Sequence, residues 1–498
     1  MSGDLSALIA KALATDEERP ALAFGGRWRT VAWLAKAAQA LDAALNAHGI
    51  GRDQPVGLVA RNRPGPVTAL AALIATHRTT AMIYSAQSPA AIAAEIARLA
   101  APAVVADPQD WTPEARTAAR AIGALGLAAR DDADQPVEVV VVPEGMHVHK
   151  PADPEVALEL LSSGTTGPPK RTPVSWATAS SAVADAGVVY AGSGRRDAPI
   201  IMSHPLGNIS GFSYIVPALA HGQPIVLLEK FTVEAWTTAV RDYRPVRTAL
   251  PAAAVRMLLD ARPSREDLAS LTVVGVGGGA IPLELQLAFE EAYGVPVLSA
   301  FGATEFGGVI ANWNVDEYRR IGAAKRGSAG RASPGVTMRI VDRETLAELP
   351  PGEVGLLEAK VARIGPDWIR TNDLASLDAD GFLFIHGRAD DAINRGGFKI
   401  VPASVAEALR AHPAVADAAV VGLPDARLGE VPVAAVELRR GAPAPSEAEL
   451  ESFLRDRLVA YQIPTRFAVV DALPRNASMK VSAPEVRRLF ENDNASEA

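Results

Sequence analysis

The 498-residue chain contains no cysteine. That absence removes disulfides, thiolate metal ligands and a covalent thioester on the protein itself from the available chemistry. An excess of positive charge is missing too. Lys and Arg number 49 against 57 Asp and Glu, a formal charge of -8, so no broad field favours nucleic acid or anionic lipid, and an anionic ligand must be held by local groups. No apolar run reaches the ~18 residues of a spanning helix. The first residues, Met1-Ser2-Gly3-Asp4-Leu5, carry an acid where a secretory signal carries lysines. A cytoplasmic enzyme is the simplest expectation.

What is present suits a compact protein with a sizeable core. Hydrophobic residues make up 49% and charged residues 21%, near the average for globular chains. The length exceeds the roughly 250–300 residues at which one core stops growing, so two or more domains are expected. From the N-terminus to about Arg130, Ala and Leu at helical spacing (residues 35–45) alternate with short strand-like pieces such as residues 55–60, which implies α/β layering. Residues 137–143 and 155–161 read as buried strands. Further buried strands are expected at 224–228, 271–275 and 295–298, each followed by small or polar residues able to face one crevice. After Arg388 the pattern becomes a module of about a hundred residues, with strands at 415–421 and 431–436 and helices between them. Its first helix is expected to begin at Ser404-Val405-Ala406-Glu407, which has the capping-box pattern.

The segment Ser162-Ser163-Gly164-Thr165-Thr166-Gly167-Pro168-Pro169-Lys170 is composed to hold phosphate. Glycines let the backbone approach, hydroxyls add neutral donors, and the lysine balances charge. Pro169 before the lysine and Arg171 after it exclude the Walker pattern. Further segments follow in order: Ser203-His204-Pro205-Leu206-Gly207-Asn208; Val276-Gly277-Gly278-Gly279-Ala280-Ile281-Pro282; Ser299-Ala300-Phe301-Gly302-Ala303-Thr304-Glu305; Arg370-Thr371-Asn372-Asp373; the run from Asp380 through Ile385 and Arg388 to Asp391; and Leu473-Pro474-Arg475-Asn476-Ala477-Ser478-Met479-Lys480. The run after Asp380 also reads as a plain hairpin, and both readings can hold at once.

Taken in that order, these motifs resemble the adenylate-forming superfamily of acyl-CoA synthetases, peptide-synthetase adenylation domains and beetle luciferases, and most closely its acid:CoA ligases. The resemblance covers most of the chain after about residue 155. It implies an α/β fold with a large N-terminal domain of layered sheets and helices, residues 1–388, and a smaller mobile α+β lid, residues 389–498. It further implies that Ser162, Ser163, Gly164, Thr165, Thr166, Gly167 and Lys170 hold the phosphates of ATP. Gly278, Gly279 and Ala280 would pack against adenine, with Phe301 flanking it and Gly302, Ala303 and Ile385 beside the nucleotide. Thr304 would donate to the α-phosphate, Glu305 would hold Mg²⁺, Asp373 would grip the ribose hydroxyls, and Arg388 would support ribose or phosphate. Lys480 would be the catalytic lysine of adenylation and Asp390 the hinge of the lid. Gly396 and Gly397 would line a pantetheine channel. Lys399 beyond them reads as a phosphate or acyl-site contact, or simply as a solvated lysine. Three positions depart from the family pattern, where Arg171, Asn372 and Met479 stand in place of glycines.

The implied activity joins a carboxylic acid to AMP with release of pyrophosphate, then transfers the acyl group to a thiol. Without cysteine the thiol must come from outside. Coenzyme A is favoured, with a carrier protein's phosphopantetheine as the alternative and a nucleotide binder without turnover as a third reading. No aspartate able to meet an α-ammonium stands near the 203–211 segment, so an acid without an α-amine is expected. Its pocket would be lined by some of His204, Asn208, Phe212, Gly277, Phe301, Gly307 and Val309, with room at Gly277 and Gly307 for an aryl ring or a bulky alicyclic group. The expected cofactors are ATP, Mg²⁺ and coenzyme A, and the expected state is a monomer or homodimer.

Overall fold

A computed structural model describes residues 4–144, 147–162, 170–191, 198–279, 281–396, 398–476 and 479–491. Its first layer is a seven-stranded sheet in the order Val137–Val141, Leu125–Ala129, Ala103–Ala106, Val56–Ala60, Thr80–Tyr84, Val156–Ser162, Lys170–Ser175. The five inner strands are parallel and both edge strands antiparallel. Parallel strands need cover on both faces, and two apolar cores supply it. One joins Leu58 and Val105 to Leu70 and Ile74 of the helix Pro64–Ala75 and onward to Ile200 and Ile225 of a second sheet. The other packs Val59 and Val104 against Ile92, Ile96 and Trp111. The helix Pro64–Ala75 is buried from Pro64 to Ile74, as expected of an element enclosed between layers.

The second sheet orders Ile200–Met202, Ile225–Leu227, Pro20–Phe24 and Arg27–Thr30, and a third holds the parallel strands Arg247–Leu250, Val273–Val276 and Val297–Ser299. Short strands Phe301–Ala303, Gly308–Asn312 and Arg331–Ala332 follow, then an antiparallel sheet of Val336–Val341, Gly355–Val361, Trp368–Leu377 and Leu383–Arg388. The C-terminal module has a sheet of its own, dominated by the hairpin Val415–Asp425 and Gly429–Leu438. Strand alternation gives this sheet two apolar faces. Ala418, Val420, Ala434 and Val436 pack with Ile393 and Ile400 on one face, and Ala419, Val421, Val433 and Ala435 pack with Leu473 and Val486 on the other.

The expected strands at 55–60, 155–161, 224–228, 271–275 and 295–298 are present with shifted ends, and residues 35–45 lie within the helix Val31–Ala47. Three local expectations are corrected. The strand Val137–Val141 is not buried but is an edge strand with Val139 exposed, because its apolar run is shared between the core and a sheet margin. No helix separates 415–421 from 431–436, since Asp425 and Gly429 close a direct hairpin. The helix after Gly396 begins at Pro402 with Val401 as an uncapped N-cap, and Ser404 Oγ donates back to the Val401 carbonyl. Proline fixes the first helical φ and starts the helix two residues early. The capping box of this module is Ser446 with Glu449. Among the described residues, no helix is long and apolar enough to cross a membrane.

Candidate active site

Each strand of the third sheet runs toward a crevice at its C-terminal end. Val276 ends its strand at Gly277-Gly278-Gly279, and a Cβ on Gly277 or Gly279 would meet nothing within 4 Å. Gly278 has φ +78°, a left-handed turn that suits glycine. A Cβ there would lie 3.6 Å from Cε of Lys480 and 3.9 Å from Oγ of Ser210. The C-terminal lysine thus reaches the glycine turn of the N-terminal part.

Lys480 is carried on a tight loop. Asn476 N donates to the Lys480 carbonyl at 2.8 Å, Met479 N donates to the Asn476 carbonyl at 2.8 Å, and Lys480 N donates to Asn476 Oδ1 at 3.1 Å. Arg475 braces the loop by donating to the Met479 carbonyl and to Asp417. The ammonium is open to the solvent of the crevice yet ringed by protein. Burial lowers its pKa, Arg388 lowers it further, and Asp373 and Glu305 oppose both. Lys480, Arg388, Asp373 and Glu305 therefore share one electrostatic site.

Asp373 and Arg388 are register partners on adjacent strands, with side chains 3.9 Å apart. Burial raises the Asp373 pKa against the pull of Arg388. Arg388 is engaged chiefly by Asp390, through Nε at 2.9 Å and Nη2 at 2.7 Å, and its own pKa is raised. Asn372 Nδ2 donates to the same Asp390 at 3.2 Å, and Ala389 N donates to the Asn372 carbonyl at 2.7 Å. The asparagine in place of glycine thus ties the expected hinge residue to the sheet of the large part.

Thr304 and Glu305 open a short 3₁₀ turn after the strand Phe301–Ala303. Glu305 is exposed to the crevice, and no cluster of three acidic or His side chains exists among the described residues. One open carboxylate fits Mg²⁺, which keeps most of its shell from water and phosphate rather than from a protein cage. Phe301 and Ile385 are partly buried against the core beneath. Ser163, Gly164, Thr165, Thr166, Gly167, Ala280 and Gly397 lie outside the described residues, as do the side chains of Ser162 and Lys170. The backbones of Ser162 and Lys170 are register partners at the end of an antiparallel pair that residues 163–169 connect.

The acid pocket differs from expectation in two residues. Phe212 is buried in the large core rather than lining the crevice, because it falls on the inward face of the helix Ile209–Ala220. Gly307 leaves no room, since a Cβ there would collide with the Thr178 methyl. Asn208 caps that helix, accepting from Gly211 N at 2.7 Å. His204 is in place. Its ring stacks on Tyr214 at 5.2 Å, and burial pushes its pKa down to about 4, so the imidazole is neutral. Asn62 fixes the His204 segment by donating to the His204 and Leu228 carbonyls and accepting from Leu206 N. Val309 is 40% exposed beside Gly308, whose Cβ would lie 3.6 Å from Ser213 Oγ. Tyr214, Ser210 and Asn62 escaped sequence reasoning. Helical spacing from Ser210 to Tyr214 was the available signal.

Arg171 turns away from the crevice. It donates to the Met82 carbonyl and to Glu95, both at 3.1 Å, so this departure serves the fold. Met479 has φ +60° and packs across the module boundary against the core of the third sheet. Gly396 is the turn of the hairpin Ile393–Arg395 and Phe398–Ile400, bonded to Leu428, and Lys399 lies on the same hairpin. That hairpin joins the C-terminal sheet at its edge, where Arg395 pairs with Gly429.

Residues 9–362 match the family described as AMP-binding enzyme, and residues 404–480 match the AMP-binding enzyme C-terminal domain. The chain is 33% identical over 355 residues to 2-succinylbenzoate–CoA ligase of Geobacillus kaustophilus, covering 68% of this chain and 70% of that protein. It is likewise 33% identical over 365 residues to indoleacetate–CoA ligase of Aromatoleum aromaticum, covering 68% and 69%. The fold matches the crystal structure of ATP-bound MatB from Rhodopseudomonas palustris with a TM-score of 0.83 at 23% identity, over 98% of this chain and 99% of that one.

Proposed function

Because the chain belongs to the AMP-binding enzyme family, we propose that it is an ATP-dependent acid:CoA ligase acting on a carboxylic acid without an α-amine. The observation that carries this reading is the meeting of Lys480 with Glu305, Asp373 and Arg388 at the open glycine turn. An acid oxygen attacks the α-phosphorus of ATP, and the bond to pyrophosphate breaks. Negative charge grows on the phosphoryl oxygens and the leaving group, where the Lys480 ammonium and Thr304 hydroxyl would receive it. Asp373 offers paired acceptors to the ribose hydroxyls, with Arg388 behind it. Glu305 would hold magnesium, which when bound neutralises phosphate charge. No general base is needed, because the acid is already ionised at neutral pH. In the second step a thiol attacks the acyl carbon and AMP leaves. With no cysteine in the chain that thiol comes from outside, and the relatives named as CoA ligases support coenzyme A as its carrier.

We take residues 1–388 and 389–498 as the two domains, with the turn at Asp390. The positions of the two lid loops support a lid that rotates between steps. The Gly396 hairpin extends an edge of the C-terminal sheet and the Lys480 loop packs on one face of it, so a rotation would withdraw one and present the other. Two of the departures hold the lysine-in arrangement, Asn372 through Asp390 and Met479 through its apolar contact. A cytoplasmic setting, where ATP and CoA are supplied, goes with this reading.

Pyrophosphate release that requires both ATP and an acid, in a screen of aryl, alicyclic and fatty acids, tests the first step. Acceleration by CoA alone tests the second. AMP formation with no acid supporting it would remove the ligase reading, and acceleration only by a phosphopantetheinylated carrier would replace CoA as acceptor.

Met479→Gly tests the latch. The left-handed backbone costs a methionine roughly 1–2 kcal/mol that glycine does not incur, while the lost apolar contact is worth on the order of 1 kcal/mol. Net stability should change little. The contact exists only with the lid docked, so the ratio of thioester-forming to adenylating rate, measured in single turnovers, should rise about 3–10-fold. An unchanged ratio would show that Met479 does not bias the lid.

A further inference from the structure

The turn that carries Thr304 and Glu305 has little of its own to hold it. It is a three-residue 3₁₀ helix, with Gly307 N donating to the Thr304 carbonyl at 3.0 Å, and a helix end leaves its last carbonyls without intrahelical partners. Beyond it Gly307 and Gly308 take φ +64° and +133°, a corner that suits glycine and brings no side chain to pin it. The missing partner comes from another strand's end. Arg363 Nε donates to the Phe306 carbonyl at 3.0 Å and its Nη2 to the Val309 carbonyl at 2.8 Å, so one planar guanidinium spans the glycine corner.

Arg363 is itself fixed. It sits on a tight turn after the strand Gly355–Val361, where Ile364 N and Gly365 N both donate to the Val361 carbonyl, at 2.8 and 3.1 Å. Its own carbonyl accepts from Thr178 Oγ1 at 3.1 Å. Thr178 is buried and bonded twice to Ser175, whose Oγ accepts from Thr178 N at 3.1 Å and donates to Thr178 Oγ1 at 2.9 Å. Ser175 ends the strand Lys170–Ser175, into which the expected phosphate segment 162–170 leads. A path of hydrogen bonds thus runs from that strand, through Ser175, Thr178 and Arg363, to the turn of Thr304 and Glu305.

We infer that Arg363 is a positioning residue of adenylation, which sets the Thr304 and Glu305 turn at a fixed distance from the strand that follows the phosphate segment. This rests on the ligase reading above. Thr304, Glu305 and the phosphate segment all act on one triphosphate, Glu305 through magnesium, so their spacing decides the rate. Without the guanidinium the Phe306 and Val309 carbonyls lose these donors, the glycine corner relaxes, and Glu305 shifts from its place. Arg363 acts on the chemistry through that turn.

The test compares Arg363→Met, Arg363→Lys and Thr178→Val with the wild type. In Arg363→Met, acid-dependent pyrophosphate release should slow about 10–100-fold, and the Mg²⁺ concentration for half-maximal rate should rise about 3–10-fold. Thioester formation from a supplied acyl adenylate, in which no pyrophosphate leaves, should stay within about 3-fold of wild type. Arg363→Lys should recover part of both losses, since an ammonium keeps donors without the rigid fork. Thr178→Val, which removes the hydroxyl and keeps the shape, should shift rate and Mg²⁺ dependence in the same direction by about 2–5-fold. A merely structural role would lower both half-reactions alike. Equal losses in both, or an unchanged Mg²⁺ dependence in Arg363→Met, would overturn the inference; Arg363→Lys decides by the same measures should Arg363→Met not fold. If no acid releases pyrophosphate from the wild type, the ligase reading fails separately. The brace is then judged by calorimetric binding of ATP with and without Mg²⁺. A gain in ATP affinity from Mg²⁺ that shrinks about 3-fold or more in Arg363→Met or Arg363→Lys supports the inference. An equal gain in wild type and variants, or none in the wild type, overturns it.

Discussion

Replacing Lys480 with alanine should slow acyl-adenylate formation by about 10²–10³-fold, the usual cost of removing one preorganised group from a site of developing charge. Thioester formation from a supplied acyl adenylate should stay within a few-fold of wild type, because the proposed lid rotation withdraws the lysine before that step. Equal loss of both steps would contradict the role. The surroundings add a pH signature. Burial and Arg388 lower the Lys480 pKa more than Asp373 and Glu305 raise it. A lysine that titrates below its ordinary range loses its proton earlier as pH rises, so the wild-type adenylation rate should decline on the alkaline side before a free lysine would deprotonate. Lys480→Arg keeps its charge throughout the range in which the enzyme can be assayed. Whatever rate that variant retains should show the alkaline decline displaced upward, and an unmoved decline would assign it to another group.

Gly302→Ala should cost as much without touching a charged group. A Cβ at Gly302 would sit 2.7 Å from the Val309 Cα and closer still to the Gly308 carbonyl. Both obstacles are backbone, and Gly302 pairs with Val309 across the two strands that carry the Thr304 turn. The strands must part, moving Thr304 and Glu305 together. A shift near 1 Å at positioned groups costs on the order of 10²-fold in rate, and overpacking of this kind costs about 1–3 kcal/mol in stability. Adenylation kinetics and a denaturant midpoint on one preparation check both. A variant that adenylates normally would mean the pair yields elsewhere and that its close approach does not set the site.

Much of this was legible because phosphate and adenylate chemistry draws on few residue types at short spacing. The motif ending in Thr304 and Glu305, the Asp373 segment and the final lysine each announce a charge or a donor within a few residues, and the structure joins Glu305, Asp373 and Lys480 in one field. The acid pocket was less legible. Phe212 and Gly307 stand in the right segments, yet the helix turns one into the core and Thr178 occupies the space of the other. Which face of an element a side chain takes depends on what packs against it, and that information lies elsewhere in the chain. Tyr214 shows the converse, since only its stack on His204 and its approach to Gly275 mark it as pocket.

The order of residues alone determined the chemistry on offer. A chain without thiols, carrying phosphate-suited turns, a carboxylate beside a threonine and a terminal lysine, has few reactions open to it. Tertiary structure decided what those groups act upon and when. It packed Met479 onto a foreign core, bonded Asn372 to Asp390 and set Lys480 beside the Gly278 turn. The reason is physical. Short-range composition fixes which charges and donors exist, whereas distances between them are set by packing among segments hundreds of residues apart.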